Sequence, residues 1–302
     1  MTTARAQDTH TGPAAATPTG AVLAAVVVTV LAWASAFVGI RAVREHFEPG
    51  PLALGRLLVG SAALGAALLL RRTWVRPSRR EWSLVLVCGV AWFAGYNVAL
   101  NAAEQRVDAG TAAMLVNIGP VLIALLAGAL LGEGFPRWLL IGGAVAFSGA
   151  ALIGAATSRG ASADLVGVLL CVLAALAWAV GVMAQKPVLR RLPGLQVTWM
   201  ACTVGAVACL PFVRELVGEV LVAPGGPVAG LVYLGLVPTA VAFGTWAYAL
   251  SRMDAGRLGV TTYLVPPLTV LLSWPLLGEA PPPLALVGGG LALVGVALTR
   301  RR

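Results

Sequence analysis

The side chains that could do chemistry in this sequence are amides, hydroxyls and aromatic rings set inside long apolar runs. The first half offers Trp33, Ser35 and Phe37, then Tyr96, Asn97 and Asn101, then Asn117. The second half offers Trp178, Thr239, Trp246, Tyr248, Thr261, Thr262 and Tyr263. Such groups hold a molecule by hydrogen bonds and ring faces; they do not break bonds. An amide in hydrocarbon is costly unless it bonds across helices or meets water, so Asn97, Asn101 and Asn117 are expected to face a bundle interior. Aromatic walls with a few amides suit an amphipathic or aromatic organic solute better than a bare ion. Each residue taken singly fits an interhelical bond or an interfacial aromatic equally well. Their confinement to particular helices is what points to a cavity.

Groups that react are missing from the pattern. His10 and His46 lie in the amino-terminal tail and in a loop. Cys88, Cys171, Cys202 and Cys209 sit within apolar runs, without a Cys-x-x-Cys pair or a nearby histidine, and read as small packing residues. The single lysine, Lys186, follows Gln185 and fits no phosphate-binding loop. No metal, no cofactor and no enzymatic activity are therefore expected. None of the 12 acidic residues falls mid-span, which leaves Arg56, about six residues into the second helix, as the one deep charge. Two readings of it stay open. Its head snorkels to the outer surface, or it faces the bundle and attracts an anionic group.

Two prolines mark weak points in the backbone. Pro120 and Pro266 lie about midway along the fourth and ninth expected helices, where each removes a donor and crowds the carbonyl four residues back. Paired breaks at corresponding positions point to a midplane site. Glu133 and Glu279 close the same two helices, where a carboxylate opposes the helix dipole at a cost of about 0.3–1 kcal/mol. An offsetting partner is required: a basic neighbour such as Arg137, or the amino end of a following helix. A structural role at the helix corner or a part in coupling would both fit.

The elements that position these residues follow from composition. Of 302 residues, 59% are hydrophobic and only 11% charged, against about a quarter charged in soluble domains. Apolar runs of spanning length are separated by short charged clusters. The chain is read as an all-α polytopic membrane protein. Residues 1–19 form a disordered cytoplasmic tail; ten helices are expected at about 20–40, 51–71, 82–103, 109–132, 138–156, 165–185, 195–213, 227–250, 255–278 and 283–299, with a polar linker at 157–164. The net charge of +9 sits in loops, so it reports topology and argues against nucleic-acid binding. Fifteen basic residues fall in one set of loops and five in the other, which puts both termini in the cytoplasm.

The chain is also a duplication. Residues 106–133 and 252–279 align without a gap and share 12 of 28 positions, among them Asp108/Asp254, Gly110/Gly256, Pro120/Pro266 and the closing Leu-Gly-Glu. Residues 31–34 and 176–179 both read LAWA. Five helices per repeat, an odd number, forces the halves into inverted topology, so the repeats are 20–156 and 165–299. Gly142, Gly143 and Gly149 match Gly288, Gly289 and Gly295, and such stripes suit close helix packing or a homodimer face.

This order of features resembles the drug/metabolite transporter superfamily and, within it, the ten-helix EamA-type exporters. The resemblance rests on Trp33 to Phe37, Pro51 with Arg56, Pro120 with Leu131-Gly132-Glu133, Trp178, and Pro266 with Leu277-Gly278-Glu279. It departs from the family where Val182 and Met183 stand opposite Phe37 and Val38. It implies a bacterial inner-membrane exporter of small metabolites or drugs working by alternating access; the sequence leaves the driving force open, a proton or other ion gradient being the expectation. It also implies a central cavity built from helices one, three, four, six, eight and nine. The residues expected there are Trp33, Ser35, Phe37, Tyr96, Asn97, Asn117, Pro120, Trp178, Trp246, Thr262, Tyr263 and Pro266, with Arg56, Glu133 and Glu279 as structural or coupling candidates. The competing expectation is a structural or lipid-handling membrane protein.

Overall fold

The computed structural model describes residues 19–106, 115–157, 165–277, 283–299 and 301. Among these, helices follow one another almost without interruption. They are α1 (Gly20–Val43), α2 (Pro49–Arg71), α3 (Arg79–Glu104), α4 (Gly119–Leu130) and α5 (Arg137–Thr157) in the first half. The second half has α6 (Leu165–Val188), α7 (Gly194–Ala208, continued by Leu210–Val222), α8 (Gly225–Leu250), α9 (Ala255–Thr261 continued by Val265–Leu277) and α10 (Pro283–Leu298). Five of them, each 23–26 residues long, are individually long and apolar enough to cross a bilayer. Local sequence sets their ends. Pro49 opens α2 where no donor is needed, and Ser78 with Glu81 forms a reciprocal cap that starts α3.

The seventh helix departs from its sequence expectation of one span over 195–213. It breaks at the turn holding Pro211, bends by 55°, and continues to Val222. Proline has no N–H and crowds the preceding turn, which is reason enough for the break. Beyond the bend, Glu219 accepts from the Glu48 backbone N–H at 3.2 Å and so closes over the start of α2.

The duplicated prolines do break their helices. α4 starts afresh at Gly119 and the second part of α9 at Val265, so Pro120 and Pro266 each occupy the second position of a new segment, not mid-helix. The stretch 107–114, which holds the expected start of helix four, lies outside the described residues, as do Glu279 and the linker at 158–164.

A second pair of irregularities gave no signal in the sequence reading. α3 contains a π-helical stretch at Gly89–Tyr96 and α8 another at Gly235–Val241, and their starts are one repeat apart. Each lies where the helix crosses the other half. A Cβ on Gly89 would sit 2.7 Å from the Ala201 carbonyl on α7, and one on Gly235 would sit 2.9 Å from the Arg56 carbonyl on α2. Wide turns with glycine at the crossing let the backbones touch.

Helices α5 and α10 pack on each other through the same logic. A Cβ on Gly142 would meet the Gly295 carbonyl at 2.6 Å, and one on Gly149 the Gly288 carbonyl at 2.5 Å. The expected glycine stripes are thus occupied within one chain. Both helices stand at the edge of the bundle, away from the central aromatic core of Trp92, Phe93, Trp178, Phe243 and Trp246.

Candidate solute-binding cavity

Between the halves lies a cavity open at one end; the empty space within its walls, open solvent at the mouth included, is about 740 Å³. α1 contributes Trp33, Phe37 and Ile40; α3 contributes Trp92, Tyr96, Asn97 and Leu100. Val116 and Asn117 arrive from the turn before α4, Trp178 from α6, Phe243 from α8, and Thr262, Pro266 and Thr269 from α9. Arg56 of α2 completes the wall. Both helix breaks border the space, because the turns at 117–118 and 262–264 replace regular backbone where the chain meets the cavity.

The cavity ends on a stack of rings. Trp33 lies 5.0 Å from Trp246, 5.5 Å from Phe243 and 6.2 Å from Trp178, and Trp92 lies 4.9 Å from Phe243. Most of these pairs are edge-on, the arrangement ring quadrupoles favour. Trp33 and Trp178 are the tryptophans of the two LAWA copies, so the duplicated motif meets itself across the interface.

Polar groups are held in place by backbone partners. Asn97 Nδ2 donates to the Phe93 carbonyl at 2.7 Å, inside the π-helical stretch, and Thr269 Oγ1 donates to the Ala34 carbonyl at 3.2 Å. Thr262 Oγ1 donates to the Gly259 carbonyl at 2.7 Å. Asn101 is buried but reaches the Pro49 carbonyl at 3.0 Å instead of the cavity.

Of the residues expected in the cavity, Trp33, Phe37, Tyr96, Asn97, Asn117, Trp178, Thr262 and Pro266 line it. Four others sit elsewhere. Ser35 turns to α8, where it bonds Tyr233 Oη at 2.7 Å. Trp246 is fully buried beneath Trp33 and forms part of the floor. Pro120 and Tyr263 line a separate apolar cleft with Leu139 and Phe147, on the far side of α4 and α9. Ser35 follows from the α-helical period, since it is next to the lining Ala36 and points about 100° away from it, and Tyr263, next to Thr262 in a 3₁₀ turn, is rotated by about 120°. Trp92, Phe243 and Thr269 belong to the cavity without having been singled out, and α2 joins the expected set of helices through Arg56. For Trp92 a signal existed, since it lies four residues before Tyr96 and five before Asn97 on one helix.

The structure places the Arg56 side chain inside the bundle and not at the outer surface. The residue is only 4% exposed and faces the bundle, with Nε donating to Thr239 Oγ1 of α8 at 3.2 Å. Glu133 finds its partner at a helix start. Its carboxylate accepts from the backbone N–H groups of Ala255 at 2.9 Å and Gly256 at 3.1 Å, the first turn of α9. Gly132, at φ +70°, ends α4 in the left-handed conformation that swings Glu133 across. Arg137 lies instead over the Trp138 ring.

Two five-helix repeats of opposite orientation, joined around a cavity with broken helices, define the architecture of a secondary carrier. The chain belongs to the EamA-like transporter family, which matches residues 19–155 and again 165–301. A probable terminal-alkyne amino-acid exporter of Streptantibioticus cattleyicolor is 41% identical over 281 residues, spanning 92% of this chain and 93% of its own. The uncharacterized transporter YdfC of Bacillus subtilis is 32% identical over 269 residues, 88% of this chain and 87% of its own. A probable amino-acid metabolite efflux pump of Salmonella typhimurium is 25% identical over 277 residues, 88% and 90% of the two chains. One solved crystal structure, at 24% identity, shares the fold with a TM-score of 0.78 over 94% of this chain and 99% of its own. The protein is a multi-pass membrane transporter, and a purely structural or lipid-handling role is not favoured.

Proposed function

We propose that the protein exports small amino-acid-like or aromatic metabolites across the bacterial plasma membrane, by alternating access driven by a proton or ion gradient. The observation that carries this reading is the cavity at the repeat interface, with rings for floor and walls and an amide or hydroxyl on three of its helices. Two relatives named for the export of amino acids or their metabolites support the solute class. With both termini cytoplasmic, the lining positions on α1, α2 and α3 fall in the outer half of the membrane. The Glu133 bond to α9 falls on the inner side. The conformation is then outward-facing, with the ring stack and the Glu133 contact closing the path to the cytoplasm.

The test is a flux screen in proteoliposomes under an imposed pH gradient, across amino acids, nucleosides and aromatic drugs. Trp33→Ala and Asn117→Ala run beside the unaltered protein. Gradient-dependent movement of one solute class, lost in both variants, supports a gradient-driven carrier using this cavity. Flux that persists without a gradient removes the coupling, and the absence of flux for every solute removes the transport reading.

A further inference from the structure

Arg56 is the only charged side chain among the described residues lining the cavity, and it is buried to 4% exposure some seven residues into a spanning helix. A guanidinium in such a place needs partners for five N–H bonds. Only one is met among the described residues, by Thr239. No described carboxylate lies within 4.0 Å of it. Glu104, at the end of α3, acts on Arg56 through space from beyond ion-pair distance, and borders a separate small pocket with Asn101 and Arg44. Among the described residues, then, the terminal fork of Arg56 has no hydrogen-bond or ion-pair partner in the wall of the space that a solute would enter.

The fork is also held in position, and the cause lies in the π-helical stretch of α8. Pro238 has no N–H to give the Leu234 carbonyl in an α-helical turn, and the wider π-helical turn brings Thr239, five residues on, over that carbonyl instead. Thr239 Oγ1 donates to that carbonyl at 2.9 Å, which commits its only proton. The hydroxyl can then act toward Arg56 only as an acceptor, and it receives Nε at 3.2 Å. The side edge of the guanidinium is tied to α8, and the two terminal nitrogens remain for something else. A planar pair of donors in a low-dielectric wall matches a carboxylate in two-point contact.

We propose that Arg56 binds the carboxylate of the transported solute and that Thr239 is the positioning residue that orients its fork. The assignment rests on the export reading above and deepens it. The solute must carry a free carboxylate, with its apolar end toward the ring stack formed by Trp33, Trp92 and Phe243.

Purified full-length protein in detergent micelles is titrated with L-propargylglycine, L-phenylalanine and the methyl ester of each, followed by calorimetry. The unaltered protein is expected to bind the acids on the order of 10- to 100-fold tighter than the esters, the worth of one charge-assisted contact. Arg56→Gln is expected to bring the acid-to-ester affinity ratio down toward 1. Arg56→Lys recovers part of the preference, as charge without the fork. Thr239→Val weakens acid binding less than Arg56→Gln does. The acid-to-ester ratio of the unaltered protein needs no variant, so a misfolded Arg56→Gln would not remove the test.

Equal binding of acid and ester overturns the proposal. So does full acid affinity in folded Arg56→Gln, and so does the absence of binding by either acid. Proteoliposome flux separates this result from the broader reading. Esters or amines that move while acids do not leave a transporter without the carboxylate site. Acid-selective binding with no flux leaves the site without the transporter.

Discussion

Removing the Glu133 carboxylate should release two particular backbone protons. The first N–H groups of a helix have no acceptor within it, and for Ala255 and Gly256 that acceptor is Glu133, at 2.9 and 3.1 Å. Both residues are buried, so water does not take over the role in this conformation. A hydrogen bond to a charged acceptor contributes about 1.5–3 kcal/mol when desolvated. Glu133 is itself half-exposed, which brings the pair down to about 1–2 kcal/mol in total. That corresponds to a factor of roughly 5–30 in a local opening equilibrium. Hydrogen exchange read by mass spectrometry on peptides covering 254–262 measures it directly. In Glu133→Ala the amides of residues 255 and 256 should exchange roughly 5–30 times faster. Leu258 N, which donates to the Asp254 carbonyl at 3.0 Å, should change far less. Glu133→Gln should fall between them, because its amide end would face an N–H with another N–H. Unchanged exchange at both amides in Glu133→Ala would show that the carboxylate does not hold them in solution, and the proposed inner closure would lose this contact.

Gly149→Val should cost about 3 kcal/mol, near the upper end for overpacking, because its Cβ would lie 2.5 Å from backbone atoms of Gly288 and Ala292, which cannot rotate away. Thermal unfolding in detergent tests this against Gly290→Ala, which meets nothing within 4 Å and should be neutral or slightly stabilising. Ser78→Ala removes the acceptor of the Glu81 backbone N–H and should lower stability by about 1 kcal/mol, whereas Ser78→Gly should lower it by only a few tenths.

Most of the architecture is legible in the sequence, because membrane physics narrows the choices. Apolar run length gives the spans, the odd count per repeat gives inversion, and the matched prolines give the two breaks beside the cavity. Cavity residues are harder to read. A sequence shows that Ser35 and Phe37 flank one turn but not which of them faces inward, and the structure sends Ser35 to Tyr233. Tyr263 and Thr262 part company for the same reason, at a 3₁₀ turn whose rotation no composition reveals. The π-helical stretches escaped notice because they need no special residue. Gly89 begins one with no proline in it, and only contact with α7 explains the glycine. The partner of Glu133 lies 122 positions along the chain, beyond the reach of any local rule.

The two halves share a frame but not a lining, and the difference separates motion from recognition. At one crossing Gly235 meets the Arg56 carbonyl, and Gly60 meets the Gly235 carbonyl with the Thr239 side chain. At the other, Gly89 meets the Ala201 carbonyl, and Gly205 meets the Gly89 carbonyl with the Phe93 side chain. The four glycines correspond by the repeat, as do Arg56 with Ala201 and Thr239 with Phe93. The backbone contacts are therefore reciprocal, as two conformations related by exchange of the halves require. The side chains are not. One crossing carries a cation and its hydroxyl partner, the other a methyl and a ring. Exchange of the halves moves the same glycine contacts in either direction, while the charge stays with the first half. On the proposal that Arg56 holds the solute's carboxylate, the solute would be bound to one repeat and carried against the other, an asymmetric grip in a symmetric frame.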